Sequence, residues 1–218
     1  MDEQLTIQVD GHQLPATLTD PPASQGMVVF AHGSGSSRHS PRNVHVARTL
    51  QQAGIGTLLF DLLTGDEERA DALDGHLRFD IGLLSRRLDV AVDVVADQPR
   101  FAGRPIGLFG ASTGAAAALM TAARRPPAVR SVVSRGGRPD LAGAALSEVE
   151  AAVLLIVGSL DHTVLELNRD AARQLRAETV LSVVPGATHL FSEPGALDEV
   201  ARLATAWFVR TLVPPLPA

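Results

Sequence analysis

Apolar and polar residues alternate along LTIQV (5–9) and again along HQLPATL, on either side of Asp10-Gly11. Alternation sends successive side chains to opposite faces of a strand, and Asp-Gly supplies the positive φ of a tight turn. The chain is therefore expected to open with an antiparallel hairpin. The pattern then changes to short, mainly apolar runs: MVVF (27–30), TLLF (57–60), IGLF (106–109), VRSVVS (129–134), AVLLIVG (152–158) and VLSVV (180–184). Runs of this kind suit strands covered on both faces, as in parallel sheets. Between most of them, residues 43–54, 80–97, 113–125, 166–176 and 195–211 repeat apolar positions every three or four residues, which predicts helices. Strand alternating with helix predicts an α/β fold with a mostly parallel sheet and helices on both faces. Residues 137–150 read as a loop with a short helix, and 61–79 as a charged, solvated face able to act as a small flap. One domain is expected over 1–212, with 213–218, VPPLPA, as a loose C-terminal tail.

In such sheets ligands bind beyond the carboxyl ends of the strands. Polar and ionisable residues gather there: AHGSGSSRHS (31–40), DLLTGDEERA (61–70), GASTG (110–114), RGGRPD (135–140), SLDHT (159–163) and PGATHLF (185–191). Gly110-Ala111-Ser112-Thr113-Gly114 is the single G-x-S-x-G of the chain, placed where a strand hands over to a helix. That context fits a nucleophile elbow, whose neighbours must be small. A serine at this joint could also simply cap the helix.

A serine hydroxyl needs an aligned base to attack a carbonyl. Seven histidines compete. His189 follows the last strand, and Asp161 follows the one before it. Ser112, Asp161 and His189 come in the order that an α/β-hydrolase arrangement requires, each from a different strand end. Adjacent Asp161 and His162 cannot easily pair, because neighbours point apart. The backbone amides of Ser34 and Thr113 are the expected oxyanion donors. His32, Gly33 and Gly35 are expected to support that loop, with His32 bracing it. Arg38, Arg42, Arg135 and Arg138 lie on strand-end loops; Arg38 and Arg135 are candidates for holding an anionic substrate group.

Composition narrows the classes. Hydrophobic residues make up 45% and aromatics only 4%, so an aliphatic core is expected. The net charge is −5 with no basic block, which argues against nucleic acid. There is no cysteine, which removes disulfides, thiolate metal sites and a cysteine nucleophile. The N-terminus lacks a signal-peptide pattern, and no run reaches the 18 apolar residues of a spanning helix. A cytoplasmic protein with no membrane partner is expected, as monomer or homodimer. A dinucleotide site at Gly33-Ser34-Gly35 fails because Arg38 stands where G-x-G-x-x-G needs a small residue. No cofactor and no metal are expected.

HGSGSSRHSPRN, LRFDIGLL, FGASTGAAAAL, SRGGRPDLA, LLIVGSLDHTVLELN and VVPGATHLFSEPGAL together resemble the dienelactone hydrolase-like branch of the α/β-hydrolases. They are most similar to small hydrolase domains found fused to phosphoribosyltransferases, over roughly residues 25–211. The resemblance implies an eight-stranded, mostly parallel sheet and a Ser-His-Asp triad on Ser112, His189 and Asp161. It departs from true dienelactone hydrolases in carrying Ser112 where they have cysteine, so ordinary esters are the expected substrates. Many relatives carry a cap after the sixth strand; here only residues 135–151 separate that strand from the next, too few for a large lid. The expectation is an open serine esterase for small to medium acyl groups. A thioesterase or acyltransferase with the same triad, or a non-catalytic binding protein on a hydrolase scaffold, are the alternatives.

Overall fold

The computed structural model describes residues 2–213. Positions 214–218 of the expected tail lie outside the described residues. The hairpin pairs β1 (Asp2–Val9) with β2 (His12–Thr19), and Asp10 and Gly11 at its tip both have positive φ. The apolar runs form β3 (Met27–Ala31), β4 (Gly56–Phe60), β5 (Ile106–Ala111), β6 (Val129–Arg135), β7 (Ala152–Gly158) and β8 (Thr179–Val184). One eight-stranded sheet results, in the order β1-β2-β4-β3-β5-β6-β7-β8. β2 meets β4 antiparallel, and from β4 onward every pairing is parallel.

Helices cover both faces. α1 (Pro41–Gln52) and α6 (Ala196–Leu212) pack Val46, Leu50, Val200, Ala204 and Phe208 against Phe30, Phe109 and Val133. On the other face, α3 (Ile81–Ala96) and α4 (Thr113–Arg124) press Leu84, Leu88 and Ala116–Ala118 against Leu108 and Val132. α5 (His162–Gln174) joins that face through Ala171. The alanine run of α4 is wholly buried, because only methyl side chains let a helix lie this close to the sheet.

Two sequence expectations are revised. Residues 61–79 hold a helix, α2 (Gly65–Asp74), and a 3-10 turn at Leu77–Phe79. Thr64 and Glu67 close a reciprocal capping box at its start, and its charges do not all face solvent. Asp71 is 3% exposed against Arg78, and Glu67 pairs with the buried Arg87. The expected short helix within 137–150 takes the form of 3-10 turns over Pro139–Glu148, broken at Gly143. β8 is the sheet's last strand and only half covered, with Val180 and Val183 each 40% exposed.

Candidate active site

Ser112 stands at the end of β5 with φ 50 and ψ −120, a conformation that strains any residue bearing a Cβ. The turn is held by its own backbone. The Ser112 amide donates to the Arg135 carbonyl at 3.2 Å, and its carbonyl accepts from Ala115 and Arg138, both at 3.1 Å. Two glycines make room for it. A Cβ on Gly110 would fall 2.4 Å from Ala115 Cα, and one on Gly114 2.2 Å from the Ala31 carbonyl oxygen. Ser112 occupies the cap position of α4, yet its side chain makes no capping bond.

His189 lies in the loop between β8 and α6. Its Nδ1 sits 2.6 Å from Asp161 Oδ2. Asp161 immediately precedes α5, which begins four residues earlier than the periodicity indicated, and the Asp161 carbonyl accepts from Leu165 at 2.9 Å. Its carboxylate does not cap that helix but goes to His189. The loop is pinned by Leu160 N–H to the Ala187 carbonyl at 3.0 Å and by Thr188 on Glu193. Phe191, with φ 54 and 1% exposure, anchors it to the core. The imidazole passes beside Gly136, where a Cβ would lie 3.5 Å from His189 Cε1. Gly136 follows Arg135, the strand partner of Ala111, so His189 and Ser112 flank the same strand end.

Ser34 and Thr113 face each other, their hydroxyl oxygens 3.1 Å apart. Thr113 is the first residue of α4, so its amide has no acceptor within the helix. His32 is buried, with the Leu62 amide donating to Nε2 at 2.9 Å and Nδ1 3.0 Å from the Gly33 carbonyl. These partners fit a neutral ring with its proton on Nδ1, and burial holds its pKa below the ordinary histidine value. Gly33 packs against the elbow, an added Cβ lying 3.1 Å from Ser112 Cβ, and Gly35 turns the loop at φ 63.

The four strand-end arginines divide into two kinds. Arg38 pairs with Asp61, whose other oxygen accepts from the Arg38 amide at 2.7 Å, so its charge is already met within the fold. Arg138 is bidentate on Asp140. Arg135 and Arg42 have no acidic partner among the described residues. Burial, followed by the charge of Arg42, brings the Arg135 pKa down to about 10, so it remains a cation at neutral pH.

A cavity of about 470 Å³ opens beside Ser34 and Thr113. Leu62, Leu63, Ala72 and Leu84 supply apolar wall, and His39, Arg42, Arg78, Glu68 and Asp71 charged and polar wall. Ser112, the chain neighbour of Thr113, lies outside this lining, as do Arg135 and His189. The α2 side of the wall was missed from sequence; the Thr64…Glu67 capping spacing was the available signal. Asp71, Asp74 and His76 come within 4.8 Å of one another, but Asp71 is taken by Arg78 and the other two are exposed. Among the described residues no helix is long and apolar enough to cross a membrane.

Residues 14–212 match the model of the dienelactone hydrolase family. The chain is 53% identical over 217 residues to a Mycobacterium tuberculosis protein, found in two strains, that carries the name phosphoribosyl transferase. All of this chain aligns to 48% of that protein, so it spans about half the length of the curated relatives it matches. A solved dienelactone hydrolase from Anabaena variabilis is 52% identical and superposes with a TM-score of 0.94, covering 97% of this chain and 98% of that one. An esterase domain from Rhodothermus marinus shares the fold at 21% identity, with a TM-score of 0.75 and coverage of 97% and 99%. The chain belongs to the dienelactone hydrolase family, and with it to the hydrolases built on this fold.

Proposed function

We propose that the protein cleaves carboxylic esters through an acyl-enzyme on Ser112. The observation that carries this reading is the 2.6 Å contact of His189 Nδ1 with Asp161, beside a serine held in the strained conformation of an elbow. A carboxylate on Nδ1 keeps that proton in place and leaves Nε2 free to accept another. In the proposed reaction Ser112 Oγ attacks the ester carbonyl while His189 Nε2 takes its proton. The amides of Thr113 and Ser34 receive the developing oxyanion, helped by the N-terminus of α4. The tetrahedral adduct collapses, and the departing alcohol takes the proton from His189. Water then loses a proton to the same nitrogen as it attacks the acyl-enzyme. That second adduct expels Ser112, which recovers its hydrogen, and the acid leaves.

The cavity beside Ser34 and Thr113, at about 470 Å³, suits small to medium substituents. Serine in place of cysteine makes ordinary esters the better substrates, because an alkoxide-forming nucleophile depends on its paired base. A fluorophosphonate probe tests the reading directly. Labelling of the wild type that disappears in Ser112→Ala is expected, together with p-nitrophenyl acetate turnover. Folded wild-type protein that neither labels nor turns over would leave a binding protein on a hydrolase scaffold. Diversion of product to added alcohols would make it an acyltransferase.

A further inference from the structure

Arg135 is 7% exposed, and its Nε and Nη1 are buried with no hydrogen-bond acceptor among the described residues. The ring of Phe191 lies 6.0 Å from its guanidinium carbon. The neighbouring charge it feels is another cation, Arg42. Arg42 sits in the first turn of α1, and its own Nε is buried without an acceptor. That turn is bare as well: Ser40 makes no side-chain cap, Pro41 leads the helix, and the first turn carries no acidic residue. A helix start offers free amides and the positive end of the helix dipole. Neither guanidinium has an acidic partner among the described residues, although Glu68 and Asp71 also line the cavity that Arg42 borders, Asp71 being held by Arg78.

Other covered arginines among the described residues are arranged differently. Arg38, Arg78, Arg87 and Arg138, all at least partly covered, each meet a carboxylate. A buried cation without a counter-charge is unfavourable, so one retained in this position points to an anion supplied from outside. Its location fits a substrate group. The Arg135 carbonyl receives the Ser112 amide, and Arg42 lines the cavity that reaches Ser34 and Thr113.

We propose that Arg135, Arg42 and the N-terminus of α1 form an anion subsite that seats a phosphate monoester carried by the substrate. Charge and geometry favour phosphate over carboxylate. Two guanidiniums match a group bearing close to two negative charges and three acceptor oxygens, whereas a carboxylate would leave one cation unmet. The substrate class is then a phosphorylated ester, its carbonyl on Ser112 and its phosphate on Arg135 and Arg42. The assignment of the anion to a substrate rests on the esterase reading; the binding of phosphate does not.

The test uses the whole chain and inorganic phosphate at constant ionic strength. Thermal unfolding and inhibition of p-nitrophenyl acetate hydrolysis are read together. Phosphate is expected to raise the melting temperature of wild type and to compete with the ester. Arg135→Met keeps the aliphatic stem; it is expected to weaken phosphate binding at least tenfold while melting no lower than wild type without phosphate. Arg42→Met, at a partly exposed position, is expected to weaken binding in the same direction should Arg135→Met fail to fold. Ser112→Ala should retain phosphate binding, so an inactive wild type that still binds phosphate sinks the esterase reading and spares the subsite. Acetylated glycerol phosphate should be cleaved at least tenfold better than glycerol acetate, a preference lost in the arginine variants. Absence of phosphate binding by folded wild type overturns the proposal. So does binding undiminished in the arginine variants, or acetate bound as tightly as phosphate.

Discussion

Two buried guanidiniums teach different lessons. Arg87, on α3, is 1% exposed and donates to the Leu62 carbonyl at 2.7 Å and to both oxygens of Glu67 at 2.7 and 2.6 Å. Glu67 in turn caps α2. The pair ties α2 to the body of the fold, and the charge is answered where it stands. Arg135, at the end of β6, is almost as deeply buried and meets no carboxylate among the described residues. Equal burial thus accompanies opposite states of compensation. A compensated charge fixes an element in place; an uncompensated one leaves attraction available to something that arrives later.

The largest expected effect lies on the arriving side. Ser112→Ala should lower turnover of p-nitrophenyl acetate by about 10⁴-fold or more, measured with protein verified as folded. Retained turnover would remove Ser112 from the chemistry and with it the functional half of the contrast. Next comes the structural half. Arg87→Met leaves the partly exposed Glu67 without its partner and the Leu62 carbonyl without a donor, and should cost about 1–3 kcal/mol in urea unfolding, because a covered polar group left unpaired loses its compensation. Comparable stability losses from Arg87→Met and Arg135→Met would erase the difference between them.

A smaller effect is the pH dependence of the same corner. Burial pushes the Glu67 carboxyl upward, but hydrogen bonds from Arg87 and the Thr64 amide, with the Arg87 charge, bring its pKa down to about 2 from 4.5. The folded state therefore takes up its proton later than the unfolded state does. Its contribution is complete above about pH 4.5 and lost as pH falls toward 2. Glu67→Gln should flatten the stability profile across that window. His32, lowered chiefly by burial, adds a loss that begins as pH drops below 6.5. The smallest effect marks the baseline. Arg173→Ala removes an exposed pair with Asp170 and should change stability by no more than about 0.5 kcal/mol.

The sheet was legible in the sequence because its interior strands are continuous apolar runs that suit no other element of that length. The strand-end positions of Ser112, Asp161 and His189, and the contact of Asp161 with His189, were legible because each residue follows such a run and chain order limited the choice. Helix α2 was not, since its residues Asp66, Glu67, Glu68, Arg69 and Asp71 show no apolar stripe. It forms through its cap and through pairs with Arg87 and Arg78, contacts that join residues 20 and 7 positions apart. The same limit applies to the arginines. Sequence placed four at strand ends; only the fold reveals that Asp61 and Asp140 satisfy two of them. The start of α1 at Pro41 escaped periodicity as well, because the first turn of a helix presents little to the core.

The half-covered β8 has one further consequence. Ser112 hangs from β5 in the middle of the sheet, where every strand residue is buried, while His189 hangs from the rim, five residues beyond a strand with one open edge. Proteins open piecemeal, and margins open first. Gentle warming or dilute urea should therefore fray the margin and silence turnover while the central strands are still intact. Inactivation would then run ahead of melting.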